Sequence, residues 1–205
     1  MSDEGGAVLD LLLNQRGCRR YGPEPVDPGD LHAMLEAATH APSAENAQPW
    51  VFVVVEAAEA RQAVADLTRR LWDDVARAHA VHTLSTDLLA AVDRFIAAGY
   101  GGAPTLVVVA GDGRSGASPR LLASSIFPAV QNLLLAAAAL GYGSSLTTLA
   151  AQAPAELAAA VGLPDGITPF AVVPVGRPSR PLGPPRRRPV SEVAHHERFG
   201  VPFNG

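Results

Sequence analysis

The sequence predicts an α+β fold on three observations. Helical stretches are interspersed with about four apolar strand-like runs, no regular βαβ alternation is present, and no segment repeats. At 205 residues with 48% hydrophobic content, the chain reads as one domain, residues 1–205, with ample material for a packed core. Residues 177–205 read as an extended C-terminal arm.

The elements follow in order. Residues 7–17 read as a helix, with Val8, Leu11 and Leu12 on one face and Gly17 ending it or tightening the turn. Arg19-Arg20-Tyr21 then run extended toward Pro23 and Pro25. Asp27-Pro28-Gly29-Asp30 starts a helix: Asp27 is the N-cap, Pro28 fits the first turn, and Asp30 suits the positive end of the dipole. Leu31, Met34, Leu35 and Ala38 line its buried face, and the pattern ends at His40. A polar, proline-bounded loop, Ala41 to Pro49, leads into a strand over 50–55.

Residues 57–81 predict a long amphipathic helix with Val64, Leu67, Leu71 and Val75 on one side, and 86–98 a second one. Gly99 to Pro104 breaks the pattern before a strand over 105–110, continuous enough in apolar residues to be buried on both faces. Residues 120–140 are apolar nearly all round and therefore central. Pro128 is expected to kink this helix or mark its true start. Gly141-Tyr142-Gly143 caps it and leads to a strand over 144–149. Pro154 opens a short helix ending at Gly162. Phe170 to Gly176 is the last core strand, and Pro174 points to an edge or bulged strand. Residues 191–196 form a short helix or strand.

Composition excludes several classes. A formal net charge of −4 argues against a nucleic-acid binder with a general basic surface. No apolar run is expected to span a membrane without a charge or a break. Met1-Ser2-Asp3-Glu4 lacks a basic leader region, and the lone Cys18 excludes an internal disulfide, so a reducing cytoplasm is the expected location. No His-x-x-x-His or cysteine pair supports a metal site. All sixteen basic residues are arginine. Six of them cluster in two groups, Arg16, Arg19 and Arg20 near one end and Arg186, Arg187 and Arg188 near the other. Solvated charge explains each cluster singly; together they can converge on one dianion through guanidinium forks.

Ser43, Asn46 and Gln48 place three hydrogen-bonding side chains on the loop between two buried elements, where binding groups tend to sit. An ordinary helix-to-strand connection has the same composition. Cys18 sits beside the arginines, which lower a thiol pKa, yet it also fits as a small packing residue. His79 and His82 are either substrate contacts or exposed helix histidines.

Gln15-Arg16-Gly17-Cys18-Arg19-Arg20-Tyr21, the Ala41–Trp50 loop, Gln131-Asn132, Leu140 to Ser144, Gly176-Arg177-Pro178 and Arg186 to Pro189 together resemble the nitroreductase family of FMN-dependent oxidoreductases. The resemblance runs from about Val8 to Phe199. It implies a central, mostly antiparallel sheet flanked by helices, and an intertwined homodimer with flavin at the subunit interface. It implies FMN as cofactor and NADH or NADPH as reductant, passing hydride through flavin N5 to a nitroaromatic, quinone or similar small-molecule acceptor.

By the same resemblance Arg16, Gly17 and Arg19 hold the phosphate and the N1 edge, with Arg186 and Arg188 as a second basic pair. Pro42, Ser43 and Asn46 reach the isoalloxazine and ribityl from the neighbouring subunit, and Gly143, Thr147 and Thr148 offer backbone or hydroxyl contacts. Two positions depart from the family pattern: Gln15 stands where an arginine is usual and Gly17 where a serine is. Residues 70–102 are expected to cover the substrate pocket. No catalytic acid–base residue is assigned. Two other readings keep the flavin: a dedicated oxidase or dehydrogenase of a biosynthetic pathway, and a non-catalytic flavin-sequestering protein.

Overall fold

The computed structural model describes residues 3–203. Four strands form one sheet: β1 (Trp50–Val55), β2 (Thr105–Asp112), β3 (Gly143–Ser144) and β4 (Ile167–Gly176), in the order β1-β2-β4-β3. Every pairing is antiparallel. Seven α-helices among the described residues surround it: α1 (Asp3–Asn14), α2 (Pro28–Thr39), α3 (Ala58–Leu71), α4 (Arg77–Thr83), α5 (Thr86–Ala97), α6 (Pro119–Ala139) and α7 (Pro154–Val161).

The period-2 alternation of β2 explains the layering. Leu106 and Val108 face one layer, packing with Val64 and Leu67 of α3, Phe95 and Ile96 of α5, and Leu157 of α7. Val107 and Val109 face the other, with Met34 and Ala38 of α2 and Ile126, Val130 and Leu133 of α6. The sheet is thus covered on both sides, as the unbroken apolar run of β2 predicts.

α2 begins as its sequence dictates. The Asp27 carboxylate accepts from the backbone N–H groups of Gly29 (2.8 Å) and Asp30 (3.1 Å), with Pro28 in the first turn. α6 begins at Pro119, capped by Ser118, and runs unbroken through Pro128. An interior proline costs about 3 kcal/mol or more. Leu122, Ile126, Val130, Leu133 and Leu134 are buried on both sides of it, each contributing about 1.5–3 kcal/mol, so packing carries the helix across. By length and hydropathy α6 would also pass as a membrane span, contrary to the expectation of a break; its apolar face lies in the core.

Three other expectations are corrected. α1 ends at Asn14, not Gly17, and Val8 and Leu12 of the expected buried face are exposed in the single chain. The helix expected over 57–81 is interrupted by a π turn, Trp72–Ala76. The strand expected over 144–149 shrinks to Gly143–Ser144 plus a bridge from Thr147 to Val172. β4 is an inner strand despite Pro174. The N–H and C=O of Val172 both face Thr147, so Pro174, two residues on, turns its missing donor to that same side, into the gap after the two-residue β3. Its carbonyl there accepts from the Tyr21 hydroxyl at 3.3 Å. The bulge lies on β4 itself: Val109 pairs with Ala171 and Ala110 with Pro169, leaving Phe170 as the extra residue, so of the two expected characters, edge or bulged, β4 has the second.

Two predictions follow from this packing. A Cβ at Gly143 would lie 2.7 Å from both Cβ and Sγ of Cys18, so Gly143→Ala should lower stability by about 1–3 kcal/mol in urea denaturation. Burial holds the Tyr21 phenol far above its usual range and pushes Tyr100 up to about 12. A phenol with a raised folded pKa keeps its proton in the native state while the unfolded chain ionises at about 10. Stability is therefore complete below about pH 10 and falls as pH rises toward 12; a urea midpoint followed across that window should drop, and Tyr100→Phe should flatten the slope.

Candidate functional site

The segment following α1 is held as an extra, irregular strand. Gly17 bridges Ser144 in parallel, and the Cys18 N–H donates to the Ser144 carbonyl at 2.8 Å. Cys18 is buried; burial raises its thiol pKa, outweighing the hydrogen bonds and the Arg19 charge that lower it. Of the two roles open to Cys18, the structure gives it packing. The Arg19 carbonyl presses on Gly101, where a Cβ would come within 2.4 Å, and the Tyr21 N–H donates to the Gly101 carbonyl at 3.1 Å. The Arg19 side chain makes no hydrogen bond or ion pair among the described residues and is half-buried.

The arm that bears the second arginine cluster passes beside the first. Arg16 Nη1 donates to the Gly183 carbonyl at 2.9 Å, three residues before Arg186. The arm returns beside the same segment, since the Ser179 N–H donates to the Arg20 carbonyl at 3.1 Å. Beside Arg16 lies a cavity of about 260 Å³ lined by Leu11, Gln15, Arg16, Tyr142, Ser144 and Leu182, among others; of the six clustered arginines, Arg16 is the one on its lining. Arg186 and Arg188 are exposed, with side chains making no hydrogen bond or ion pair among the described residues. Arg16 thus brings one guanidinium to a hollow of mixed, largely apolar lining, and guanidinium forks of this kind pair phosphate oxygens; no contact among the described residues places Arg186 or Arg188 on it. Gln15 lines the cavity without a charge. At Gly17 an added Cβ would meet Ser145 Cβ at 3.4 Å, an ordinary contact, so the missing hydroxyl is not a steric necessity. Arg177 does not join the clusters: it stacks over the Tyr142 ring at 3.7 Å and donates to the Leu140 carbonyl at the end of α6.

The Pro42–Asn46 loop lies apart. Ser43 Oγ accepts from the Gln48 N–H at 3.0 Å, and the Ala44 N–H donates to Ser125 Oγ at 3.3 Å. Glu45, Asn46 and Gln48 all have positive φ, at 54°, 54° and 48°. Gln48 serves the turn itself, its side chain donating to Asn46 Oδ1 at 3.3 Å. Ser125, which seats the loop, lies thirteen residues before Ala138, which lines the arginine cavity. That is about 20 Å along α6. A single chain therefore does not bring Ser43 and Asn46 to Arg16 and Arg19.

Past β3, Thr147 is committed internally: its hydroxyl donates to the Val172 carbonyl at 2.8 Å. Thr148 is exposed and Gly143 is fully enclosed by Cys18, Pro178 and Gly176. His79 and His82 are exposed on α4. Among the described residues no three histidine, cysteine or carboxylate side chains gather as a metal site.

Three features were missed from sequence. Ser125 offered no signal within an apolar helix. Gly101 was read only as a breaker, although its close approach to Arg19 is a use only glycine permits. The Asp30–Tyr142 hydrogen bond, at 2.9 Å, fastens the start of α2 to the end of α6; it joins residues too distant in sequence to pair by inspection.

Known proteins resemble this chain in sequence and in fold. A protein of Methanothermobacter thermautotrophicus, provisionally named an NADH dehydrogenase/NAD(P)H nitroreductase, is 25% identical over 181 residues, 86% of this chain and 80% of that protein. A Streptococcus pyogenes protein provisionally named an NAD(P)H nitroreductase is 44% identical over 55 residues, 27% of this chain and only 28% of that relative's length. Among solved structures, an iodotyrosine deiodinase bound to FMN and 3-iodo-L-tyrosine superposes with a TM-score of 0.75 at 26% identity, covering 94% of this chain and all of that one (100%). A provisionally named nitroreductase from Desulfovibrio desulfuricans, in complex with FMN, gives 0.70 at 29% identity, covering 94% and 97%. The model of the nitroreductase family matches residues 12–177, most of the described chain, and the chain belongs to that family.

Proposed function

We propose that this chain is an FMN-dependent oxidoreductase that takes hydride from NADH or NADPH and passes it to a nitroaromatic, quinone or similar acceptor. The observation that carries this reading is the meeting of Arg16 with the arm that bears Arg186 and Arg188 beside one hollow. When bound, FMN supplies the relay of hydride between donor and acceptor. The chain's own groups bind and orient it. Arg16, Arg186 and Arg188 neutralise the phosphate, and the unpaired Arg19 guanidinium stands ready for the ring edge that gains negative charge on reduction. FMN-bound relatives support the cofactor; the names of relatives support the nicotinamide donor.

The reading includes a homodimer. At about 260 Å³ the hollow falls below the roughly 300–1,000 Å³ of a complete small-molecule site. The Ser43–Asn46 loop at the other end of α6 is the natural second wall, supplied by a partner copy. Surface features support this. Val8, Leu9, Leu12 and Leu13 of α1 are 45–68% exposed, and among the described residues β1 pairs only with β2, leaving its outer edge open. The buried free thiol of Cys18 is consistent with work in a reducing, cytoplasmic setting.

The test is the absorbance spectrum of the purified protein before and after anaerobic NADH, then NADPH, with mass measured by light scattering. A yellow dimer that bleaches is expected, and the faster donor names the reductant. A colourless protein that does not take up added FMN overturns the reading. The acceptor panel should include a halogenated phenol beside nitro compounds and quinones, because a structural relative holds 3-iodo-L-tyrosine. Arg19→Ala should lower flavin retention or shift the potential downward. Ser43→Ala with Asn46→Ala should empty the flavin site without unfolding the protein; full loading would leave that loop a mere connector.

A further inference from the structure

The helical run after β1 changes hydrogen-bonding register at Trp72–Ala76, and one carboxylate grips both sides of the change. Asp93 Oδ1 of α5 accepts from Trp72 Nε1 at 2.9 Å and from Arg77 Nε at 2.9 Å, while Oδ2 accepts from Arg77 Nη2 at 3.0 Å. We propose that Asp93 is a positioning residue that sets the orientation of the α4–α5 hairpin beside the Arg19 strand, by holding the intervening turn in its π form. The functional half of this inference rests on the flavin-site reading above; the conformational half does not.

Geometry requires the π form for this grip. In an α-helix, residues five apart are rotated by about 140° from one another around the axis, so Trp72 and Arg77 could not face the same carboxylate. The i→i+5 bond of a π turn stacks them, and the Arg77 N–H does donate to the Trp72 carbonyl. Trp72 is 7% exposed and anchored in the core, whereas Arg77 is exposed; the clamp therefore transmits the position of the buried ring to the start of α4. Relaxation to an α turn would rotate α4 by about 100°. Ala80, its one buried residue, would leave the core and a neighbour would take its place.

The clamp lies close to the candidate site. Two residues beyond Asp93, the Phe95 ring comes within 3.0 Å of where a Gly101 Cβ would stand. It also meets Tyr100 edge-on at 5.6 Å between centroids. Gly101 in turn carries the Arg19 carbonyl and the Tyr21 N–H. The hairpin is thus rooted against the strand that presents Arg19. Val75 and Val81, 69% and 47% exposed, lie on the π turn and α4, and their direction follows from the turn type.

The experiment compares wild type with Asp93→Asn, Trp72→Phe and Arg77→Gln in the intact protein, by amide hydrogen exchange over 72–83, FMN titration and steady-state kinetics. Asp93→Asn should speed exchange in 72–83 by about tenfold while leaving β2 protected. FMN affinity should stay within about twofold while KM for a nitroaromatic acceptor rises about fivefold and kcat holds, as expected for lost positioning of the bound acceptor. Trp72→Phe should give the same pattern, and adding it to Asp93→Asn should add little, because both remove one grip. Unchanged exchange in 72–83 overturns the clamp. A lowered melting temperature with KM unmoved reduces Asp93 to a structural ion pair and equally overturns the proposal. Should Asp93→Asn fail to fold, Arg77→Gln, which removes only the exposed half of the grip, is judged on the same two readouts. Wild type that binds no FMN defeats the flavin reading instead, and the exchange data still decide the conformational claim.

Discussion

Cys18 lies so close to Gly143 that neither can be exchanged for a larger residue without moving a strand. Much of the structure depends on that contact. It docks the Gly17–Tyr21 segment onto β3, and the segment then ties three separate regions together: Ser144 through the Cys18 N–H, the Gly101 loop through Tyr21, and the returning arm through the Arg20 carbonyl. The Tyr21 hydroxyl, directed at the Cys18 and Pro174 carbonyls, closes the same knot from the side of β4. Arg16 and Arg19 are the polar ends of an otherwise buried strip, so their placement follows from packing on either side of them. A two-residue β3 suffices because this strip completes it.

The parts of the fold that rest on local rules were legible in the sequence. Asp27-Pro28 start α2 by capping, β2 announces itself as an apolar run, and the α+β class follows from interspersed elements without βαβ order. The parts that rest on distant contacts were not. Pro128 stays inside α6 because burial on both sides outweighs its local penalty. Pro174 sits in an inner strand because the neighbour stops short of it. The π turn depends on Asp93, nearly twenty residues further on, and no periodicity encodes that. At the candidate site, the residue types were readable, but not their division into two groups at opposite ends of α6.

The loop that carries Ser43 and Asn46 has a cost of its own. Glu45, Asn46 and Gln48 occupy the left-handed region, which costs of order 1–3 kcal/mol for a non-glycine residue, least for asparagine. Hydrogen bonds from the Gln48 N–H to Ser43 and from the Ala44 N–H to Ser125 hold the shape, each worth about 0.5–1.5 kcal/mol. Those bonds offset only part of the cost. A plain connector of this length needs no such conformation, and the loop's stiffness fixes the directions of its polar side chains before any ligand arrives.

The bond from Arg16 to Gly183 spans 167 residues of sequence. A contact of that separation closes only after the strands and helices between its two partners have assembled, because its loop-closure entropy is otherwise unrepaid. The hollow beside Arg16 is therefore late to take shape in folding, and a cut in the chain after Leu182 would leave the sheet whole while removing the carbonyl that holds Arg16 in place.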